Sequence, residues 1–199
     1  QSARLFYSSF FTRNETPEDV QNGKTRCFWQ IGFEIFNGPM FQSSVDIVRA
    51  SYRMLALAGV PNAYIRLTDK RIMKGRLEGY SELDRAIVLS IIDKAEDNPE
   101  KFRASYSQSG GKSSVDDIAC LLGYVNSDKR DVLSEISWIA AKSRQAKEGM
   151  ENIAKLQQEL AGEVEIRVVP FLAKSWDACG MMMFDGRIPN YPRFGSCRI

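Results

Sequence analysis

Between Arg26 and Phe36 the chain alternates strictly. Cys27, Trp29, Ile31, Phe33 and Ile35 fall on one parity, and Phe28, Gln30, Gly32 and Glu34 fall on the other. Successive side chains of a β-strand point to opposite faces, so this pattern predicts a strand with one continuous apolar face and one face carrying Gln30 and Glu34. Upstream, Arg4 to Arg13 holds Phe6, Tyr7, Phe10 and Phe11 and reads as a second strand. The intervening Asn14 to Lys24 contains Asn, Thr-Pro, Glu-Asp and Asn-Gly, the chemistry of a loop. Two strands joined by a long polar loop predict an antiparallel hairpin whose polar face lines something wet.

The remainder of the chain mixes helices with a few strands. Val45, Val48, Tyr52 and Leu55 predict a helix over Ser43 to Ala58, capped by Ser43 or Ser44 and ended by Gly59. Ala63 to Leu67 reads as a short strand leading into Thr68, Asp69 and Lys70, and Glu82 to Ala95 as a second helix. Glu96 to Lys112 is polar, and the low-complexity Ser107 to Ser114 is expected to be a mobile connection. Helices follow from Asp116, the last over roughly Asp131 to Leu160 with a weak point at Gly149. Val164 to Val169 and Gly180 to Phe184 are the closing strands, and no internal repeat is present. The resulting class is α+β, and 199 residues suit one domain of ordinary size.

The chain has no histidine. A Ser-His-Asp or Cys-His nucleophile, a His-ligated zinc and an imidazole base are therefore excluded. Chemistry here must rest on Arg, Lys, carboxylates and a bound metal-nucleotide, which favours reactions that position and neutralise phosphates. Cys27, Cys120, Cys179 and Cys197 lie far apart without a Cys-x-x-Cys pair, so they read as reduced, mostly buried small hydrophobes. A net charge of +2 is too mild to predict nucleic-acid binding by itself. No apolar run of about 18 residues spans a bilayer. The start at Gln1 lacks the order of a signal peptide, so a cytoplasmic protein is expected, and the absent initiator Met leads to the expectation of a fragment or processed chain. Asp69 with Arg71, and Asp93 with Lys94, read as structural pairs, and Met181 to Met183 as buried strand, not a thioether metal site.

The strand-loop-strand reads Arg4-x-x-Tyr7, then Phe11-Thr-Arg13-Asn-Glu15-Thr-Pro17, a loop to Gly23, then Arg26-x-Phe28-x-Gln30-x-Gly32-x-Glu34-x-Phe36. This resembles motif 2 of class II aminoacyl-tRNA synthetases, in the form found in histidyl-tRNA synthetases. Leu55-Ala-Leu-Ala-Gly59, the following strand and Thr68-Asp-Lys-Arg-Ile72 are similar to the helix, strand and short Asp/Asn-plus-basic segment of that family. Leu172-Ala-Lys174-Ser-Trp-Asp177-Ala-Cys-Gly180-Met-Met-Met-Phe184 partly resembles its Leu-Val-Arg-Gly-Leu-Asp-Tyr-Tyr-Thr-Gly-x-Val-Phe signature. The resemblance covers most of the chain in the right order, with Asn98 to Leu160 matching only as a helical filler. It implies a class II synthetase-like antiparallel sheet flanked by helices: residues 1–199 as part of a catalytic domain, with a helical insertion at about 98–160.

The resemblance also implies roles. Arg13 would hold the α-phosphate of ATP, Glu15 would face the adenine end, Phe28 would stack on the ring and Arg26 would approach the phosphates. Gln30 and Glu34 would bind the substrate amino acid, with histidine expected, the carboxylate pairing with its amino group or ring nitrogens. Magnesium would accompany ATP. Seen alone, an arginine beside a glutamate in a loop is ordinarily a surface pair worth little, so it is the joint pattern that carries the assignment. Three departures stand out. Lys174 replaces the arginine that contacts the substrate carboxylate and phosphate, which loses the planar fork. Ala178 and Cys179 replace two tyrosines, so the amino-acid pocket should be larger or its ligand different. Motif 1, motif 3 and an anticodon-binding domain are not found in these residues. Three functions follow as expectations: a histidine–tRNA ligase-like enzyme, with tRNA as acceptor and a homodimer in the full-length protein; a non-catalytic histidine-sensing paralogue similar to the ATP phosphoribosyltransferase regulatory subunit; or a ligase with a non-tRNA acceptor.

Overall fold

The structure is a computed structural model of the chain, and it describes residues 2–21, 25–95, 98–125, 132–172, 181–188 and 197–198. The chain divides into two compact units, one within residues 2–47, the other within residues 48–198.

The first unit is built on the hairpin. Strand β1 (Ala3–Thr12) pairs antiparallel with β2 (Cys27–Phe36), in a register running from Ala3 opposite Phe36 to Thr12 opposite Cys27. The Arg13 amide adds one more rung by donating to the Arg26 carbonyl at 2.8 Å. The connection contains a short helix α1 (Pro17–Gln21), begun by proline at its first position, where a loop was expected. Directly opposed residues in an antiparallel pair share a face. One face therefore carries Leu5, Tyr7, Ser9 and Phe11 with Phe28, Gln30, Gly32 and Glu34, and the other Phe6, Phe10, Trp29, Ile31 and Phe33. On the apolar face Trp29 is 71% and Phe6 70% exposed, and the face expected to be wet is in part covered, with Phe28 and Gln30 half-buried. The reason is cross-strand aromatic cover, since Tyr7 and Phe11 lie across the Gln30 face.

Helix α2 (Met40–Leu57) runs from the first unit into the second. It begins three residues before the predicted Ser43 cap, and Gly59, at a φ of 72°, follows its end. Arg4 reaches Asp46 in an exposed ion pair within the first unit.

The second unit holds a four-stranded sheet in the order β4-β3-β5-β6, from β3 (Tyr64–Asp69), β4 (Ile166–Val168), β5 (Met182–Arg187) and β6 (Cys197–Arg198). β5 pairs antiparallel with both β3 and β6, but β4 lies parallel to β3. A parallel pair needs a long crossover. Here the crossover carries helices α3 (Lys70–Arg76), α4 (Glu82–Ala95), α5 (Pro99–Gln108), α6 (Asp116–Leu122), α7 (Val132–Glu135), α8 (Ser137–Ala140) and α9 (Arg144–Glu159). The long final helix expected from Asp131 is thus three separate helices, the last begun by the Ser143 hydroxyl accepting from the Ala146 amide. Ala146, Gly149, Met150, Ile153 and Leu156 form its buried stripe at helical spacing. Ile65, Leu67, Ile72, Met73, Ile92, Phe102 and Leu156 are fully buried core.

Ser107 and Gln108 close α5, and Ser109 to Ser114 is a hydrogen-bonded turn where the low complexity suggested a mobile connection. Asp84, buried at the start of α4, accepts from the Tyr106 hydroxyl, from the Lys112 amide at 3.0 Å and from the Ser113 hydroxyl at 2.8 Å. Those bonds, Tyr106 foremost, hold the Asp84 carboxyl far below the usual carboxylate range. The Tyr106 ring lies against Gly111, where a Cβ would collide with it. Gly149 is likewise no weak point: α9 is unbroken there, and a Cβ would stand 3.2 Å from both the Arg71 Cβ and the Asp69 Oδ1. Of the cysteines expected to be buried, Cys27 and Cys120 are free and exposed, Cys27 at the loop end of the hairpin ladder and Cys120 on the outer side of α6. Met182 and Met183 are half-buried in β5, and Met181 before it is exposed.

Candidate functional site

The site is assembled on one face of the β1–β2 hairpin. From the loop end the rungs on this face are Arg13 with Arg26, Phe11 with Phe28, Ser9 with Gln30, Tyr7 with Gly32, and Leu5 with Glu34. The rows on the two strands touch in sequence. The Arg13 guanidinium carbon stands over the Phe28 ring, 4.9 Å from its centroid. Phe28 stacks on Phe11 with 24° between planes, and Phe11 meets Tyr7 edge-on at 6.0 Å between centroids. Gln30 closes the row by donating from Nε2 to the Tyr7 hydroxyl oxygen at 2.7 Å. A guanidinium, three aromatic rings and a carboxamide thus form one connected ledge.

The backbone explains why the ledge forms. Tyr7 faces Gly32 across the ladder, and a Cβ on Gly32 would collide with the Tyr7 ring and hydroxyl. The absent side chain lets the phenol lie flat across the partner strand and reach Gln30 one rung away. Glu34 continues the same parity, exposed, beyond Tyr7. Four residue steps along the extended strand take Gln30 to Glu34, about 13 Å of backbone, with the Tyr7 ring between them.

The sequence-predicted residues fall as follows. Arg13, Phe28, Gln30 and Glu34 share one face; Arg26 is exposed at the loop end, and Glu15, half-buried, follows Arg13 in the loop. Lys174, Ala178 and Cys179 lie outside the described residues. Tyr7 and Phe11 carried no role in the sequence reading, and the signal that reveals them is the register, which sets Tyr7 opposite the one glycine of β2. Asp69 and Arg71 pair as expected: Asp69 caps α3 by accepting from the Arg71 amide and takes a bidentate grip on the Arg71 guanidinium. The Asp69 hydrogen bond is the first cause raising the Arg71 pKa. The side chains of Asp93 and Lys94 lie outside those described.

Chemically the ledge offers a guanidinium beside an aromatic face at one end and an amide with a carboxylate at the other. The first combination suits a phosphate attached to a flat heterocycle. The second suits a ligand bearing cationic N–H donors. Among the described residues no three His, Cys, Asp or Glu side chains gather to hold a metal ion, and no helix is long and apolar enough to cross a membrane.

The histidyl-tRNA synthetase family matches residues 1–186. The histidine–tRNA ligase of Clostridium tetani is 24% identical over 187 residues, covering 90% of this chain and 42% of that protein. Among solved structures, the histidyl-tRNA synthetase from Nostoc sp. PCC 7120 superposes with a TM-score of 0.69 at 13% identity, over 92% of this chain and 43% of that one. A structure from Bacillus halodurans C, described as an ATP phosphoribosyltransferase regulatory subunit/histidyl-tRNA synthetase, gives 0.72 at 13% identity, over 95% and 48%. The chain spans less than half the length of each of these three proteins.

Proposed function

The chain belongs to the histidyl-tRNA synthetase family, and from that premise we propose that it takes part in activating an amino acid, histidine, with ATP. Residues 1–199 are read as part of a class II catalytic domain, with 98–160 as its helical insertion. The observation that carries the reading is the hairpin ledge, which sets Arg13 on Phe28 at the loop end and Gln30 and Glu34 on the same face farther along.

In this reading the amino-acid ammonium lies against Glu34 and Gln30. Its carboxylate oxygen attacks the α-phosphorus of ATP, the new P–O bond forms as the bond to the β-phosphate bridge breaks, and pyrophosphate leaves with the electron pair. Arg13 neutralises the charge that grows on the α-phosphate oxygens. Phe28 stacks on the adenine, which requires the Arg13 guanidinium to slide from the ring face toward the phosphate. Arg26 approaches the outer phosphates and Glu15 the adenine edge. Lys174 would supply a positive charge near the carboxylate, as a point charge without the bidentate fork, and Ala178 would widen the amino-acid pocket. Magnesium would shield the phosphates. In this reading tRNA is the acceptor and the assembly a homodimer, in the cytoplasm.

A second reading, a histidine-sensing paralogue without catalysis, is favoured by Lys174, Ala178 and Cys179 in place of the family's arginine and tyrosines. The deciding experiment is amino-acid-dependent exchange of pyrophosphate into ATP across the twenty amino acids, with Arg13→Ala as control. Histidine-dependent exchange that falls at least about 100-fold in the control supports the ligase. Exchange with another amino acid means a repurposed ligase, and histidine binding without exchange means the sensor.

A further inference from the structure

Gln30 sits on the face assigned above to the amino acid, but a carboxamide has two chemically opposite ends. Its oxygen accepts hydrogen bonds and its nitrogen donates them, and a half-turn about the last torsion exchanges them. An ammonium ligand can be held only by the oxygen. In the structure the carboxamide is held in one of these orientations by a hydroxyl on the neighbouring strand. The Tyr7 hydroxyl oxygen lies 2.7 Å from Gln30 Nε2 and accepts its hydrogen bond. Tyr7 is fixed in turn by two constraints. Its ring fills the space over Gly32 where any side chain would collide with it, and its edge packs against Phe11 at 6.0 Å between centroids.

We propose that Tyr7 is a positioning residue: by accepting from Gln30 Nε2 it turns the carboxamide oxygen outward, so that position 30 presents an acceptor to the ligand's ammonium beside the Glu34 carboxylate. This rests on the amino-acid reading of the face and adds to it a reason for the specificity toward a cation. Gly32 then belongs to the same device, since only a residue without a side chain admits the Tyr7 ring. The neighbouring rungs agree with this, because Ser9 and Leu5 on β1 are both exposed while Tyr7 and Gln30 are half-buried against each other.

The test uses a substitution that abolishes the need for orientation. A carboxylate at position 30 presents an acceptor whichever way it turns. Histidine binding is measured calorimetrically on the full chain for the wild type, Tyr7→Phe, Gln30→Glu and the double variant. Tyr7→Phe should weaken binding about five- to tenfold in the Gln30 background, the value of one lost hydrogen bond. In the Gln30→Glu background the same change should cost less than about twofold. Equal losses in both backgrounds, or no loss in either, overturn the proposal, because a purely structural Tyr7 would act on both alike. The side-chain amide resonance of Gln30 is followed in the same proteins without ligand. It should move in Tyr7→Phe, and an unmoved signal overturns the orientation by itself. A wild type that binds no histidine, with the resonance still responding to Tyr7→Phe, overturns the amino-acid reading of the face and leaves the Tyr7–Gln30 lock standing.

Discussion

At the scale of single residues, exposure separates groups that serve a ligand from groups that serve the fold. Glu34 is exposed on a strand whose neighbours along the face are an aromatic ring and a leucine. Its carboxylate has little to do for stability, since surface substitutions rarely change it by more than about 0.5 kcal/mol. Glu34→Ala is expected to abolish histidine binding in calorimetry and to leave Tm within about 2 °C of the wild type. A larger fall in Tm would make Glu34 a structural residue. Arg13 rests on a neighbouring ring. Its stacking on Phe28 in an exposed setting contributes about 0.5–1 kcal/mol, small enough for a phosphate to draw the guanidinium away.

At the scale of elements, the glycines of the second unit mark where helices are forced together. Gly75 on α3 leaves room for α9, since a Cβ there would stand 2.7 Å from the Ala146 Cβ. Gly149 on α9 faces Asp69, which is fully buried, caps α3 and grips Arg71. In an open helix, glycine to alanine gains about 1 kcal/mol. Gly149→Ala should reverse that sign and cost about 1–2 kcal/mol in chemical denaturation, because neither Asp69 nor the Arg71 backbone can retreat. Gly123 is the matched control: it is exposed, helical in φ and meets only the Cys120 carbonyl, at 3.4 Å. Gly123→Ala should be neutral or slightly stabilising, and a loss at Gly123 equal to that at Gly149 would remove the contact as the cause.

At the scale of the whole molecule, the second unit is tied together across a long sequence separation. Arg66 on β3 and Asp185 on β5 form a buried bidentate pair, with bonds of 2.8 and 2.7 Å, and Arg66 also donates to the Val125 carbonyl at 3.1 Å. Removing one member of such a pair leaves a desolvated charge, at a cost of about 3–5 kcal/mol. Asp185→Ala is expected to cost about that much in denaturant unfolding and to lower Tm by roughly 10 °C. A loss below about 1 kcal/mol would show that water reaches Arg66 and that the pair does not close the sheet.

Strand parity and helix-terminating glycine were legible in the amino-acid order, because each depends on neighbours a few residues away, and the absence of histidine is read from composition alone. They pointed to the hairpin, to α2 and α4 and to the α+β class. The resemblance to motif 2 named Arg13, Phe28, Gln30 and Glu34, and the hairpin places them on one face. Tertiary structure alone decided the rest. Low complexity between Ser107 and Ser114 read as freedom, yet one buried carboxylate, Asp84, anchors that turn from 28 positions away. Gly149 read as a break until its surroundings showed a close approach. Tyr7 acquired a role only from register, which pairs it with Gly32 across the ladder. Local patterns encode which face a side chain takes; which group it meets there is set by partners distant in sequence, and those contacts exist only once the chain has folded.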